Sequence, residues 1–171
     1  RVQEAEAKAS ELPAAVEWHL IGPLQSNKAR RALEIFSTVH SVDRLRIAGV
    51  LGRLAAERAR PLPCFLEINL GAEASKHGFL ETALPEALPR LAEIEGLDIR
   101  GLMAIPPQEP DETAARAWFA RLARLRDRVA GALNGFGGAL SMGMSGDFEL
   151  AIEEGATHVR IGTALFGERK R

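Results

Sequence analysis

The sequence contains no tyrosine and a single cysteine, Cys64, among its 171 residues. Without tyrosine, the chain cannot supply a phenol as acid, base or nucleophile. One cysteine cannot form an intrachain disulfide, and there is no CxxC pair or Cys/His cluster with metal-ligand spacing. The sequence therefore excludes a disulfide scaffold and a thiolate zinc site, and Cys64 is predicted to be a small buried apolar side chain.

Long apolar runs and an excess of one charge are also missing. The chain has 22 basic and 23 acidic residues, for a formal net charge of −1. This balance gives no general attraction to nucleic acid or anionic lipid. No run approaches the roughly 18 apolar residues that a membrane helix needs, and no charged-then-apolar leader opens the sequence. These absences predict a cytoplasmic protein with no nucleic-acid or membrane partner.

Short β-rich segments alternate with longer helical patterns along the chain, which predicts one α/β domain over residues 1–171. A dozen or more residues separate each predicted strand from the next, and this spacing indicates parallel pairing. After a short N-terminal helix, the pattern predicts six strands with five helical segments between them. The strands are 16–22, 37–42, 64–70, 97–105, 139–144 and 158–163.

Polar residues recur near the ends of these strands, at Asn69, Ser141 and Arg160. Strands of an open doubly wound sheet are usually unbroken apolar runs, so this pattern favours a barrel whose mouth is lined from inside. Six strands are two fewer than the common eight-stranded barrel has, and that barrel typically takes about 250 residues.

Two segments, 141–147 and 160–163, carry the composition of an anion site. Glycines let backbone N–H groups approach a phosphate, a helix N-terminus adds donors, and Ser145 and Thr163 add hydroxyls. In eight-stranded barrels, the loops after the last two strands often build such a site. Two tight turns capped by Ser145 and Asp147 are the alternative interpretation.

Arg160 shares a strand face with Gly162, so an inward face places its guanidinium beside the phosphate site. A buried guanidinium needs an acceptor, which an aromatic ring nitrogen or an inward carboxylate such as Glu67 would provide. The four histidines show neither metal-ligand spacing nor a relay pattern, and each is predicted to be structural. They are His19, His40, His77 and His158.

Five motifs together closely resemble the pyridoxal phosphate homeostasis protein family. They occupy residues 18–28, 75–78, 101–106, 140–147 and 159–167, in the family's order. The resemblance implies a (β/α)8 TIM-type barrel of the alanine racemase N-terminal-domain type, here without its first two βα units. It also implies binding of pyridoxal 5′-phosphate without catalytic turnover.

The resemblance assigns the cofactor phosphate to Ser145, Gly162 and Thr163, and places Arg160 at the pyridine nitrogen. An arginine there does not protonate the ring, which stays a poor electron sink. The family's first strand ends in a Val-Ser-Lys-Thr type motif with the Schiff-base lysine, and its second in a Gly-Glu-Asn type motif. Neither is present, and no lysine of this chain matches that position: Lys8, Lys28, Lys76 and Lys170.

The leading hypothesis is a non-catalytic carrier or buffer in vitamin B6 homeostasis, with apo-enzymes as recipients and a monomer favoured. A racemase-like enzyme on the same barrel is one alternative, which the absence of tyrosine disfavours. A phosphosugar enzyme using Glu67 and His19 as acid and base is another. A protein-interaction scaffold that exposes Arg121 and Arg124 on the long helix is the fourth.

Overall fold

The chain folds around one parallel sheet, seen in a computed structural model that describes residues 2–9, 11–12, 15–107 and 111–167. The strands pair in the order β1-β2-β3-β5-β6-β7, and β4 pairs with the end of β3. They are β1 His19–Leu20, β2 Thr38–Val42, β3 Leu62–Asn69, β4 Phe79–Leu80, β5 Leu97–Met103, β6 Ala139–Met144 and β7 His158–Arg160. The helices are α1 Val2–Ala9, α2 Ala29–Ile35, α3 Leu45–Glu57, α4 Leu84–Ala92, α5 Glu112–Ala130, α6 Phe148–Glu153 and α7 Thr163–Phe166, with a 3-10 turn at Ser26–Lys28.

All six predicted strands are present, and their parallel pairing is confirmed. The predicted strand bounds were wrong in places, and one strand was missed: β1 covers only His19–Leu20 of the predicted 16–22, and β5 ends at Met103 rather than at 105. The last strand ends at Arg160, because the backbone of Gly162 leaves the extended region (φ −113°, ψ −77°), and Thr163 begins a helical turn instead. The two-residue strand β4 was missed, since it lies in the loop after β3 and has no alternating pattern of its own.

The sheet is strongly curled. The rings of His19 on β1 and His158 on β7 lie 6.1 Å apart, although these strands are at opposite ends of the pairing order. In a flat sheet, strands about 4.8 Å apart would separate them by roughly 24 Å. The structure is therefore a half-barrel with a polar inner face, and the TIM-type barrel architecture inferred from the sequence is confirmed.

The long helices cover the outer face of the sheet and complete the apolar core. On α5, Phe119, Leu122, Leu125 and Val129 recur at helical spacing and are almost fully buried. The helix begins after Asp111, whose carboxylate accepts the backbone N–H of Ala114 at 3.1 Å. This cap satisfies a donor that the first helical turn leaves unpaired.

Cys64 lies in this core with no exposed surface, as predicted, and its burial raises the pKa of the thiol to about 12. A thiol with that pKa stays protonated at neutral pH and is unreactive. Within the described residues, no helix combines the length and the apolar character needed to cross a bilayer.

Candidate functional site

The two final strand-to-helix junctions meet at Ser145. Its Oγ accepts the backbone N–H of Gly162 at 3.1 Å and that of Ala164 at 3.3 Å. Ser145 is half-buried, whereas Gly162 and Thr163 are exposed. We call Ser145, Gly162 and Thr163 the rim. Hydroxyl and backbone N–H groups from two separate loops are thus concentrated at one accessible place, which suits an oxyanion ligand.

Gly143 allows β6 and α6 to pack closely at the first of these junctions. Its φ is +90°, and a Cβ at this position would lie 2.6 Å from the Cβ of Ala151 and 3.1 Å from the Cα of Phe148. Only glycine therefore lets β6 run this close to α6. Asp147 then closes the turn, since its Oδ1 accepts the backbone N–H of Met144 at 2.6 Å. The capped turn and the accessible rim, which the sequence offered as alternatives, are therefore both present.

Arg160 points to the inner face of the half-barrel and is held on three acceptors. Its Nη1 donates to the carbonyl oxygen of Ser141 at 3.0 Å and to Ser141 Oγ at 3.1 Å, and its Nη2 donates to the carbonyl oxygen of Ala104 at 2.8 Å. Its Nε is buried and has no hydrogen-bond partner in the described part of the chain. The guanidinium is therefore fixed in place, and its buried Nε–H is left for an acceptor.

A carboxylate does not fill that position. Burial lowers the pKa of Arg160, and Asp147 and Glu67 oppose this by their charge without a direct hydrogen bond. Burial raises the pKa of Glu67 to about 7; the nearby carboxylate of Asp43 adds to the rise, and Arg160 opposes it. Glu67 and His19, the acid and base of the phosphosugar hypothesis, form no hydrogen bond or ion pair with each other in the described part of the structure; His19 instead bonds to His40.

Behind Arg160, two histidines extend the hydrogen-bond network. His40 Nδ1 lies 2.9 Å from Ser141 Oγ, and His40 Nε2 lies 3.0 Å from His19 Nδ1. The His40 ring also stacks on Phe65, with centroids 4.2 Å apart and an interplanar angle of 13°. We call His19, His40, Ser141 and Arg160 the floor.

His40 is neutral over the physiological pH range. Burial lowers its pKa to about 3, and the charges of His19, His158 and Arg160 act in the same direction. No group of histidine, cysteine or carboxylate side chains in the described chain is arranged to hold a metal ion. The histidines of the floor are hydrogen-bonding groups, and the link from His40 through Ser141 Oγ to Arg160 is the feature that sequence spacing did not predict.

Within the described ranges, no lysine side chain pairs with a residue of the floor or the rim; Lys76 Nζ donates to the carbonyl oxygen of Ile105 at 3.4 Å. Lys76 pairs with Glu73 (Nζ to Oε1, 2.6 Å). Lys28 lines a cavity of about 430 Å³ at the ends of β1 and β2, together with Arg44 and His77. Lys8 lies on α1, and Lys170 falls outside the described residues.

Three arginines of α5 pair with carboxylates on neighbouring elements. Arg116 bonds the carboxylates of Glu153 and Glu154, and Arg121 and Arg128 both bond Glu81. These ion pairs give Arg116, Arg121 and Arg128 a structural role in joining α5 to neighbouring elements.

Comparison with known proteins places this architecture. The family model described as alanine racemase, N-terminal domain, matches residues 1–170. A pyridoxal phosphate homeostasis protein from Pseudomonas aeruginosa is 49% identical over 173 residues, which cover 98% of this chain and 72% of that protein. The chain belongs to this family. A relative of the same name from Vibrio cholerae is 45% identical, and there the match covers 91% of this chain and 65% of the relative.

Solved structures agree with this assignment. PipY from Synechococcus elongatus, solved without pyridoxal phosphate (PLP), superposes with a TM-score of 0.91 at 41% identity over 98% of this chain and 79% of PipY. The structure of PipY with PLP bound has a TM-score of 0.88 at 40% identity, with the same coverage. The half-barrel is thus the fold of this family over the length that the two proteins share.

Proposed function

We propose that this chain binds pyridoxal 5′-phosphate, with the phosphate at the rim and the pyridine nitrogen at Arg160. The observation that carries the proposal is the buried Arg160 Nε, a fixed N–H donor without a partner in the described residues. A buried donor of this kind favours a ligand that brings an acceptor to it. The PLP-bound structure of PipY, a relative at 40% identity, supports the same ligand class.

The two ends of this ligand fit the two parts of the site. The phosphate is an oxyanion, to which the hydroxyls of Ser145 and Thr163 would donate on an accessible surface, and the Gly162 N–H, now donating to Ser145 Oγ, would turn to it on binding. The pyridine nitrogen is an acceptor when unprotonated, and a guanidinium only donates. The bound group supplies an aldehyde and a ring that withdraws electrons. Arg160 holds that ring unprotonated and so limits the withdrawal.

This restraint suits a carrier better than a catalyst. A ring kept unprotonated supports carbanion formation weakly, and the chain has no tyrosine to act as a second acid or base. We propose a non-catalytic carrier or buffer in vitamin B6 homeostasis, with apo-enzymes that need the cofactor as recipients. The cytoplasmic location stays a prediction from the sequence.

Binding measurements with two ligands test the proposal. The wild-type chain is expected to bind pyridoxal 5′-phosphate more tightly than pyridoxal, and inorganic phosphate is expected to compete. Ser145→Ala should reduce this preference, whereas Ser75→Ala, in an exposed loop, should leave it unchanged. Equal affinity for the two ligands would refute a phosphate site at the rim, and robust alanine racemisation would refute the non-catalytic role.

A further inference from the structure

The hydrogen-bond chain of the floor has a direction that follows from its two ends. Arg160 only donates, so Ser141 Oγ accepts from Nη1 at 3.1 Å. Ser141 has no exposed surface, and its hydroxyl hydrogen therefore needs an acceptor inside the protein. Among the described residues, the acceptor within reach is His40 Nδ1 at 2.9 Å.

This direction determines the tautomers of both histidines. Because His40 Nδ1 accepts the Ser141 hydrogen, the ring carries its proton on Nε2, which donates to His19 Nδ1 at 3.0 Å. His19 then carries its proton on Nε2, on the side of Glu17, whose Oε2 lies 3.9 Å away. The opposite direction would leave the buried Ser141 hydrogen without an acceptor.

Packing holds the ring of His40 in the plane that this contact requires. Phe65 stacks on one face at 4.2 Å, and His158 meets it edge-on at 5.6 Å. His40 is 3% exposed, so water does not compete for Nδ1. Burial also keeps the ring neutral, as its low pKa indicates.

We propose that His40 is a positioning residue for Arg160. As the Nε2–H tautomer, His40 accepts the Ser141 hydroxyl hydrogen, so that Ser141 Oγ is oriented to accept a hydrogen bond from the Arg160 guanidinium. The Nε–H of Arg160 is then held towards the ring nitrogen of the ligand. This inference rests on the proposed function, since the ring nitrogen belongs to the proposed ligand. It assigns His40 no contact with the ligand. A side chain that served packing alone would affect all ligands equally.

The decisive comparison uses pyridoxal 5′-phosphate and its 1-deaza analogue, in which C–H replaces the ring nitrogen. The wild-type chain is expected to prefer the natural ligand by about three- to tenfold, the range for one hydrogen bond. His40→Phe keeps an aromatic ring against Phe65 but removes the acceptor, and should bring the preference close to one. Its affinity for inorganic phosphate should equal that of the wild type.

Two further variants serve as controls for this comparison. His40→Asn places an amide oxygen near the position of Nδ1 and is expected to restore most of the preference. His77→Phe changes an exposed histidine and should leave the preference at the wild-type value. A preference in His40→Phe equal to that of the wild type would overturn the positioning role.

Nitrogen NMR of the histidine-labelled chain tests the tautomer without any ligand. His40 should show a protonated Nε2 and an unprotonated Nδ1, and Ser141→Ala should release that restriction. A protonated Nδ1 in the wild type would overturn the inference even if the ligand binds. If the tautomer is as expected but neither ligand binds, the proposed function is refuted, and the role of His40 toward a ring nitrogen is refuted with it.

Discussion

The floor and the rim of the site are built in opposite ways. On the floor, Ser141 and His40 are 0% and 3% exposed, and their polar atoms bond to other protein groups. At the rim, Gly162 and Thr163 are exposed, and a single hydroxyl, that of Ser145, joins the two loops. The floor is thus organised by folding itself, whereas the rim is accessible to a ligand and keeps its hydroxyl hydrogens for it.

This difference separates stability from affinity. Buried hydrogen bonds are costly to break, since the group left behind has neither a protein partner nor water to hydrogen-bond with. Exposed donors lose little in the free protein, because water replaces the missing partner. Substitutions on the floor should therefore lower the free energy of unfolding, and substitutions at the rim should mainly lower affinity.

The largest effect is expected for His40→Ala. It removes a buried ring stacked on Phe65 and leaves the Ser141 hydrogen without its acceptor. We expect the free energy of unfolding to fall by about 2–4 kcal/mol, measured by urea denaturation. His77→Ala is the matched control: the side chain is 58% exposed and its partner Asp43 keeps its pair with Arg44, so the change should be about 1 kcal/mol or less. Similar losses in both variants would show that the floor is not specially stabilised.

At the rim, Ser145→Ala and Thr163→Ala should each weaken binding of pyridoxal 5′-phosphate by about 1–3 kcal/mol, because each removes a protein hydroxyl that would donate a hydrogen bond to the charged phosphate. Thr163 is exposed, so Thr163→Ala should leave the urea midpoint near that of the wild type. Isothermal titration and denaturation of the same samples measure the two quantities. A variant that loses stability but keeps its affinity would reverse the distinction between rim and floor.

The pH dependence of stability distinguishes two interior groups. The folded pKa of Glu67 is raised from 4.5 to about 7 by burial and by Asp43, so the folded state binds more protons than the unfolded state between these values. The contribution of this carboxyl to stability therefore falls as pH rises from about 4.5 to 7. Relative to the wild type, Glu67→Gln should become more stable across that window. Parallel urea midpoints at all pH values would contradict the raised pKa.

His40 provides the opposite slope as an internal comparison. Its pKa is lowered from 6.5 to about 3 by burial, so the unfolded state binds more protons between these values. Its contribution to stability is lost as pH falls through that range. His40→Asn should therefore flatten the rise in stability between about pH 3 and 6.5.

The smallest effect is expected outside both regions, on the ion-paired face of α5. Arg121 donates to Glu81 at 2.7 Å and lies over Trp118, with its guanidinium carbon 5.3 Å from the ring centroid. Because the arginine side chain is 42% exposed, Arg121→Ala should cost about 0.2–1 kcal/mol in urea denaturation. The loss should shrink at high salt. A loss as large as that of His40→Ala would contradict the special status of the floor.

The sequence predicted the strands and the approach of the last two junctions, because alternation and glycine-rich turns are local patterns. It did not predict the contact between His40 and Ser141, which are 101 residues apart. They lie on β2 and β6, which are separated by β3 and β5 in the pairing order, so only the curl of the sheet brings them together. A search for polar residues at corresponding positions of predicted parallel strands would have found this cluster.

The ring nitrogen of the ligand reports most directly on Arg160. The chain is titrated with pyridoxal 5′-phosphate carrying nitrogen-15 in the ring, at a pH where the free ring is unprotonated. For the wild type, we expect a nitrogen signal that moves on binding by the shift of a neutral, hydrogen-bonded pyridine. In Arg160→Gln, the signal should move by a clearly different amount. Identical bound signals in the two proteins, or a protonated ring in the wild type, would rule out Arg160 as the partner of the ring.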